Sequence, residues 1–202
     1  MRTIFASLLP ATVLFAAPLS ASAASLDQVA SHLRGITTMS ADFVQTDRNG
    51  KSLAGRLSLR QPGKIRFQYE KGVPLLIVGD GKALTVIDYS VRQVSRWPTG
   101  NSPLSVLINP QKDMARFAKI VPSVVPGTIM VEARDPKHPE FGTITIAFGR
   151  GAGPGGLQLQ GWTVLDAQNG RSTVRLSNQR FGVPISDQTF KWDDPRPKGP
   201  RN

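Results

Sequence analysis

Few side chains in this sequence are of the types that carry out chemistry, and their spacing matches no catalytic or metal-binding arrangement. The chain has no cysteine and two histidines, His32 and His138. The first falls in a predicted helix and the second lies in a turn, so neither has the spacing of a metal ligand. Asp80, Asp88 and residues 193–194 fall in predicted turns or the tail. We therefore expect no enzymatic activity, no catalytic residue, no metal and no cofactor.

A glycine-rich segment at residues 151–156 matches the G-x-G-x-x-G pattern of dinucleotide-binding proteins. That pattern binds a pyrophosphate only when a helix follows it, because the helix N-terminus supplies the N–H donors and the dipole. Residues 157–166 alternate between apolar and polar types, which is typical of a strand. The segment therefore predicts a flexible hairpin loop and no nucleotide site.

The elements that would position any site are mainly short β-strands. Apolar residues alternate with polar ones around residues 53–59 and 65–69, so one face of each strand is apolar. Asn49-Gly50 and Asn169-Gly170 are hairpin signals. We predict strands at residues 39–47, 52–60, 64–70, 74–79, 83–88, 92–97, 119–125, 128–134, 142–148, 157–166 and 171–180, and a last one at 189–192.

Two regions differ from this strand pattern. Ser25 is a candidate N-cap, and the apolar residues between Leu26 and Ile36 have helical spacing, so we predict an amphipathic first helix. Residues 98–118 contain several prolines, apolar residues and a short helix around 114–117. This segment is either a mobile flap or a packed connection between two halves of the sheet, and both interpretations remain open.

The apolar face of so many strands must be buried, in a sandwich, a closed barrel or a partly open one. One helix and a short flap cannot cover a flat sheet of that size, so the sheet must curl. We predict a mainly β (α+β) fold: a single open, incomplete antiparallel β-barrel of about 10–11 strands, whose lumen side chains alone fill poorly. An N-terminal helix and short lid helices would lie over a hydrophobic cavity.

The first 23 residues have the pattern of a cleaved export signal. Arg2 is followed by an apolar stretch at residues 4–17 and by the small residues Ala21-Ser22-Ala23. A membrane anchor is the alternative, but the apolar stretch is shorter than the roughly 20 residues that span a bilayer. We expect an exported protein, cleaved near Ala23-Ala24, in the periplasm.

The rest of the chain divides into a folded part and a tail. Residues 24–192 suit one domain, and residues 193–202 form a polar, proline-rich tail that we expect to be disordered. The net charge of the full chain is +11. This charge favours an acidic partner or an anionic membrane surface, although a solvated basic face explains it equally well. We expect no nucleic acid partner and a monomer.

Several short motifs are weak singly but fairly specific as an ordered set. They are S-A-D-F-V-Q at 40–45, P-G-K-I-R-F-Q-Y at 62–69, I-V-G-D-G-K at 77–82, D-Y at 88–89, R-Q-V at 92–94 and T-G-N-S-P-L at 99–104. With this set the chain resembles the LolA family of periplasmic outer-membrane lipoprotein carriers. The resemblance implies an open barrel closed by helices, with a hydrophobic cavity for the acyl chains of lipoproteins.

The resemblance also implies partners and site residues. Cargo would pass from an inner-membrane ABC-type lipoprotein release complex to an outer-membrane receptor or to the outer membrane itself. For each cavity residue, plain core packing is the alternative to ligand contact. The expected cavity residues are Leu57, Leu59, Ile65, Phe67, Tyr69, Ile77, Leu84, Val86, Trp97, Ile144, Ile146, Trp162 and Val164. The expected lid residues are Leu104, Leu107, Ile108, Met114 and Phe117. We expect Leu59→Glu to abolish acyl binding without unfolding the sheet.

One position departs from the family pattern, which places an arginine before the proline of the Pro62-Gly63-Lys64 turn to hold the lid by hydrogen bonds. Here Gln61 has that place and Arg60 comes one residue earlier, where a strand would turn it to the other face. Gln61 and Arg60 are therefore the candidates for a lid latch. An uncharged glutamine should hold the lid less strongly than an arginine.

We accordingly predict that Gln61→Arg tightens the closed state of the lid, because a charge-assisted hydrogen bond is stronger than a neutral one. Hydrogen exchange of residues 98–118 should become slower in the variant. Unchanged exchange in these residues would contradict the latch.

Two other functions fit the same fold. One is an envelope-stress sensor that binds a membrane-bound partner, although such relatives usually carry a second domain for which this chain has no room. The other is a general lipid- or polyanion-binding protein, which the positive charge alone would permit.

Overall fold

A computed structural model of the protein describes residues 25–99, 103, 105–108 and 110–197, with the backbone alone for 111–113. The predicted export signal lies outside the described residues. The helices are α1 (Leu26–Gly35), α2 (Ser105–Ile108) and α3 (Pro110–Phe117). The strands are β1 (Thr38–Thr46), β2 (Ser52–Arg60), β3 (Lys64–Tyr69), β4 (Leu75–Asp80), β5 (Ala83–Asp88), β6 (Gln93–Pro98), β7 (Ala118–Val121), β8 (Ile129–Arg134), β9 (Thr143–Arg150), β10 (Leu157–Leu165) and β11 (Arg171–Phe181).

All these strands form one antiparallel sheet in the order β6-β5-β4-β3-β2-β1-β11-β10-β9-β8-β7. Most neighbours are consecutive hairpin partners, and the pairing of β1 with β11 joins the two halves. The edges are β6 and β7, and the connection between them carries α2 and α3. The predicted mainly β fold, with an open antiparallel sheet and an N-terminal helix, is confirmed.

The sheet curls strongly between β3 and β10. The rings of Phe67 on β3 and Trp162 on β10 lie 6.0 Å apart and meet edge to face. Three strands separate β3 from β10, so in a flat sheet with a strand spacing of about 4.8 Å these rings would be roughly 19 Å apart. Bulges at Gln160 in β10 and at residues 178–179 in β11 help the strands to bend. The inner face therefore encloses the core.

The first helix begins as predicted. The Ser25 side chain accepts a hydrogen bond from the Gln28 N–H at 3.1 Å, which satisfies one of the free donors at the helix start. The helix buries Val29, His32 and Leu33 against the inner face of the sheet. Its apolar stripe thus covers part of the core that the open side of the sheet would leave exposed.

The glycine-rich loop between β9 and β10 is a hairpin connection, as predicted, and it contacts α1. The His32 Nδ1 donates to the Pro154 carbonyl at 2.7 Å, so the hydrogen of the neutral ring is on Nδ1. A Cβ at Gly153 would lie 2.7 Å from the His32 ring and 2.3 Å from the Leu157 carbonyl oxygen. Only glycine fits there, which is a packing reason for this part of the motif.

His32 makes the fold sensitive to acid. The side chain is fully buried, and its Nε2 has no partner among the described residues. Burial lowers the pKa of His32 below its usual 6.5, although the hydrogen bond to Pro154 opposes this. The unfolded chain therefore binds more protons than the folded one below pH 6.5.

We predict that the free energy of unfolding is at its full value above pH 6.5 and falls below it, by up to about 1.4 kcal/mol per pH unit from this group. Urea unfolding between pH 7.5 and 5 measures this loss. His32→Gln should flatten the dependence in that range. An identical pH dependence in wild type and His32→Gln would contradict the assignment.

The chain after β11 forms a strap on the outer face of the sheet, defined here as residues 183–192. Arg60 Nη1 donates to the Ile185 carbonyl at 2.8 Å, and Arg66 Nη1 donates to the Lys191 carbonyl at 2.9 Å. The side chain of Asp187 pairs with Lys64 at 2.5 Å and with Arg60. These two cations hold the pKa of the Asp187 carboxyl below its usual range.

The strap covers a second, smaller apolar cluster. Phe190 and Trp192 pack against the cluster of Leu76, Val78 and Ile87 on β4 and β5. The predicted strand at 189–192 is wrong, because the strap forms a 3-10 turn at Asp187–Phe190 and bonds to arginine side chains instead of a sheet edge. The expectation of one apolar and one polar face therefore fails on β4 and β5, which carry apolar residues on both faces. Those under the strap are buried, and Ile77, Leu84 and Val86 on the other face are half-buried.

Candidate functional site

An apolar cavity of about 260 Å³ lies on the inner face of the curled sheet, under α2. Nine of its eleven lining residues are apolar, and none is charged. They come from six strands and one helix, which the curl brings together. The lining residues are Gln45, Ile65, Phe67, Ile77, Leu84, Leu107, Ile108, Trp162, Val164, Ser172 and Val174.

The structure divides the predicted cavity residues into two groups. Those that line this cavity are Ile65, Phe67, Ile77, Leu84, Trp162 and Val164. Those that lie in the packed core outside its lining are Leu57, Leu59, Tyr69, Ile144 and Ile146. Val86 is half-buried and pairs with Ile77, so it lies on the cavity face without lining the cavity. The predicted residues lie on the expected face of each strand. They differ in how deeply they lie in the core, and only some reach the cavity.

Two of these placements change what the sequence led us to expect. Leu59 is 5% exposed in the packed core, so a charge there should unfold the protein, and Leu59→Glu cannot separate binding from folding. Trp97 lies opposite Leu84 but is 55% exposed, because β6 is an edge strand with no strand beyond it. Trp97 therefore does not line the described cavity, and its contact with an acyl chain stays a prediction.

The predicted lid residues are also divided. Leu107 and Ile108 of α2 line the cavity, whereas Met114 and Phe117 of α3 are buried in the main core. Leu104 lies outside the described residues. The α3 helix contacts α1 and β7, so the described part of this connection packs against the core. Within the described part of this connection, the α2 helix therefore forms the cover of the cavity.

The two latch candidates lie away from the cavity lining. Arg60 as a lid latch is wrong, because its side chain is on the outer face and bonds to the strap at Ile185 and Asp187. The one-residue shift reverses the direction of the side chain, as the strand period requires. The Gln61 Oε1 accepts from the Gly63 N–H at 3.2 Å within its own turn. A latch role for Gln61 stays a prediction.

Three lining residues escaped the sequence analysis: Gln45, Ser172 and Val174. The Tyr69 hydroxyl donates to Gln45 Oε1, and Gln45 Nε2 donates to Ser172 Oγ at 3.2 Å. Burial raises the pKa of Tyr69 to about 12. Alternation along β1 places Gln45 on the same inner face as Phe43. Gln45 was not selected because it is polar and the cavity residues were chosen among apolar ones.

The described residues contain no group of three or more histidine or acidic side chains placed to hold a metal ion. Across the same part of the chain, none of the helices has both the length and the apolar character needed to cross a bilayer. What the arrangement offers chemically is an uncharged, largely apolar surface for an apolar ligand.

Comparisons with known proteins agree with this geometry. The family model for the outer membrane lipoprotein carrier protein LolA matches residues 34–193. An outer-membrane lipoprotein carrier protein of Chromobacterium violaceum is 29% identical over an alignment 205 residues long, which covers 97% of this chain and 96% of the relative. A carrier of the same name from Xanthomonas oryzae pv. oryzae is 30% identical over 194 residues, covering 90% of this chain and 89% of the relative.

Among solved structures, a DUF1329 family protein from Desulfovibrio piger matches with a TM-score of 0.50 and 12% identity, covering 82% of this chain and 95% of that one. This likeness shows the fold alone. The sequence relationships show the family as well as the fold, because the matched residues include the sheet, α2 and the cavity lining. The chain belongs to the family of the outer membrane lipoprotein carrier protein LolA.

Proposed function

We propose that this protein is a non-enzymatic periplasmic carrier, which binds the acyl chains of lipoproteins and shuttles them from the inner to the outer membrane. The single observation that carries the proposal is the uncharged, largely apolar cavity beneath α2. An acidic polymer would need cations in the site, and the lining has none. The lining thus favours acyl chains over a polyanion.

The energetics of the cargo explain why such a cavity is needed. Each methylene moved from an apolar phase into water costs about 0.8 kcal/mol. A single chain of about 14 methylenes would therefore cost roughly 11 kcal/mol to expose. A lipoprotein can leave a membrane only if a carrier supplies another apolar surface for its chains.

The size of the cavity implies that it enlarges on loading. Pockets that hold small ligands typically measure about 300–1,000 Å³, and this one measures about 260 Å³. Leu107 and Ile108 form its cover, and they belong to a helix of only four residues. Displacement of α2 would enlarge the space, and its return would hide the apolar lining between loads.

The same proposal assigns the partners. Cargo arrives from an inner-membrane ABC-type release complex and leaves for an outer-membrane receptor or the outer membrane itself. Affinity for the acyl chains must be moderate, because the carrier has to release what it binds. The family membership and the names of the relatives support lipoprotein cargo.

Depletion of the protein in its own cell tests the proposal. Lipoproteins destined for the outer membrane should accumulate at the inner membrane, as measured by membrane fractionation. Complementation with the wild-type gene should restore their distribution, and a cavity variant that still folds should not. A normal distribution after complete depletion would overturn the proposal.

A further inference from the structure

One end of the apolar cavity is polar. Gln45 and Ser172 are the two polar residues of its lining, and they bond to each other at 3.2 Å. The hydroxyl of Tyr69, which is 3% exposed, donates to the Gln45 Oε1. Residues far apart in sequence thus form a continuous chain of hydrogen bonds at one place in an otherwise apolar surface.

This polar end lies at a defined rim of the sheet. Gln45 is one residue from the end of β1, and Ser172 is one residue after the start of β11. Ser172 pairs with Val164, near the end of β10. In contrast, Ile65 and Leu84 lie near the starts of β3 and β5, at the opposite ends of the strands. The cavity therefore runs from a polar rim to an apolar interior.

The hydrogen-bond pattern leaves donors for a ligand. The Gln45 Oε1 is occupied by Tyr69, which orients the amide so that its NH₂ points to Ser172. The Ser172 Oγ accepts one of these hydrogens, so its own O–H can donate elsewhere. Among the described residues, Gln45 is the one hydrogen-bond partner of the Ser172 hydroxyl. An uncharged acceptor of the carbonyl type matches this end of the cavity.

We infer that Ser172 and Gln45 form a subsite for the acyl carbonyl of the cargo, the ester or amide group that links each chain to the lipoprotein. The inference rests on the proposed carrier function and deepens it. The chain enters with its methyl end toward Ile65 and Leu84, and its carbonyl stays at the rim. The subsite thereby positions the linkage and distinguishes an acyl chain from a plain alkyl chain.

Paired probes that differ only in the carbonyl test the subsite. The first is a synthetic lipopeptide with an S-glyceryl cysteine carrying two palmitoyl esters, and the second is its dihexadecyl ether counterpart. Phosphatidylglycerol with two palmitoyl esters separates a lipoprotein source from a phospholipid source. Each probe competes with a fluorescent fatty acid for the purified protein, and the affinities are compared in wild type, Ser172→Ala and Ser52→Ala.

Ser52 is the matched control, because its hydroxyl pairs with Thr46 away from the cavity lining. Wild type and Ser52→Ala should bind the diester lipopeptide about twofold to tenfold more tightly than the diether, the range of one uncharged hydrogen bond. In Ser172→Ala the preference should vanish through weaker ester binding, with diether affinity unchanged. The same dependence on Ser172 with phosphatidylglycerol would support a subsite for any acyl ester, and its restriction to the lipopeptide would support one for lipoproteins.

Two results would overturn the subsite while leaving the carrier intact: equal binding of diester and diether by wild type, or an ester preference that survives in Ser172→Ala. Failure of all probes to bind wild type would instead overturn the cavity proposal and the subsite with it. Thermal unfolding of each variant checks whether the fold is retained.

Discussion

Leu84→Glu should weaken binding of a fluorescent fatty acid by at least about a hundredfold, while the protein stays folded. Leu84 is half-buried and lines the cavity from β5, next to the edge strand. A carboxylate there faces an apolar surface without a cation in the lining. Bringing an acyl chain against that charge would cost several kcal/mol, and each 1.4 kcal/mol is tenfold in affinity.

The control for this variant is Val91→Glu, which makes the same kind of change in the exposed turn between β5 and β6. Val91 is 65% exposed, so its substitution should change affinity by less than about twofold, consistent with surface substitutions within roughly 0.5 kcal/mol. Circular dichroism and thermal unfolding check that both variants fold. If Leu84→Glu folds and binds the probe as wild type does, the cavity is not the binding site.

Phe43→Ala should lower the free energy of unfolding by about 3–5 kcal/mol, the usual cost of truncating a buried phenylalanine. The ring of Phe43 is 2% exposed and meets Phe67 at 5.3 Å and Tyr69 at 5.1 Å, edge to face in both cases. Phe67 in turn contacts Trp162. The substitution therefore interrupts the aromatic row that joins β1, β3 and β10 across the curled sheet, because Phe43 lies between Tyr69 and Phe67.

Val44→Ala is the matched control, because Val44 follows on the same strand and is 44% exposed on the other face. It should cost less than about 1 kcal/mol. Urea unfolding at pH 7.5 measures both variants. A loss below about 1 kcal/mol in Phe43→Ala would show that the aromatic row does not hold the curl together.

Local pattern alone was enough to predict most of the fold. Alternation around residues 53–69 places the apolar side chains of β2 and β3 on one face, and the structure confirms that face as the inner one. The Ser25 cap and the two Asn-Gly turns also act over a few residues, so they are visible in sequence. Strand β7 ends at Val121, earlier than predicted, because Pro122 cannot continue the ladder.

The candidate site depends on contacts that local pattern does not contain. Gln45 and Ser172 are 127 residues apart in sequence, and only the pairing of β1 with β11 brings them together. Local pattern also does not show how deeply a residue on a given face is buried. For this reason the sequence did not distinguish Leu59, which lies in the packed core, or Trp97, which is exposed on the edge strand, from the residues that line the cavity. The strap was also not predictable from local pattern, because it is bound by arginine side chains on the outer faces of distant strands.

Extraction of a lipoprotein from a membrane tests the central claim most directly. Vesicles containing a purified diacylated lipoprotein are mixed with the purified protein, and the supernatant after sedimentation is examined for a complex. The account predicts a soluble complex of one carrier with one lipoprotein, formed by wild type and Val91→Glu and absent with Leu84→Glu. Lipoprotein that stays entirely with the vesicles, or that leaves equally well with Leu84→Glu, would contradict it.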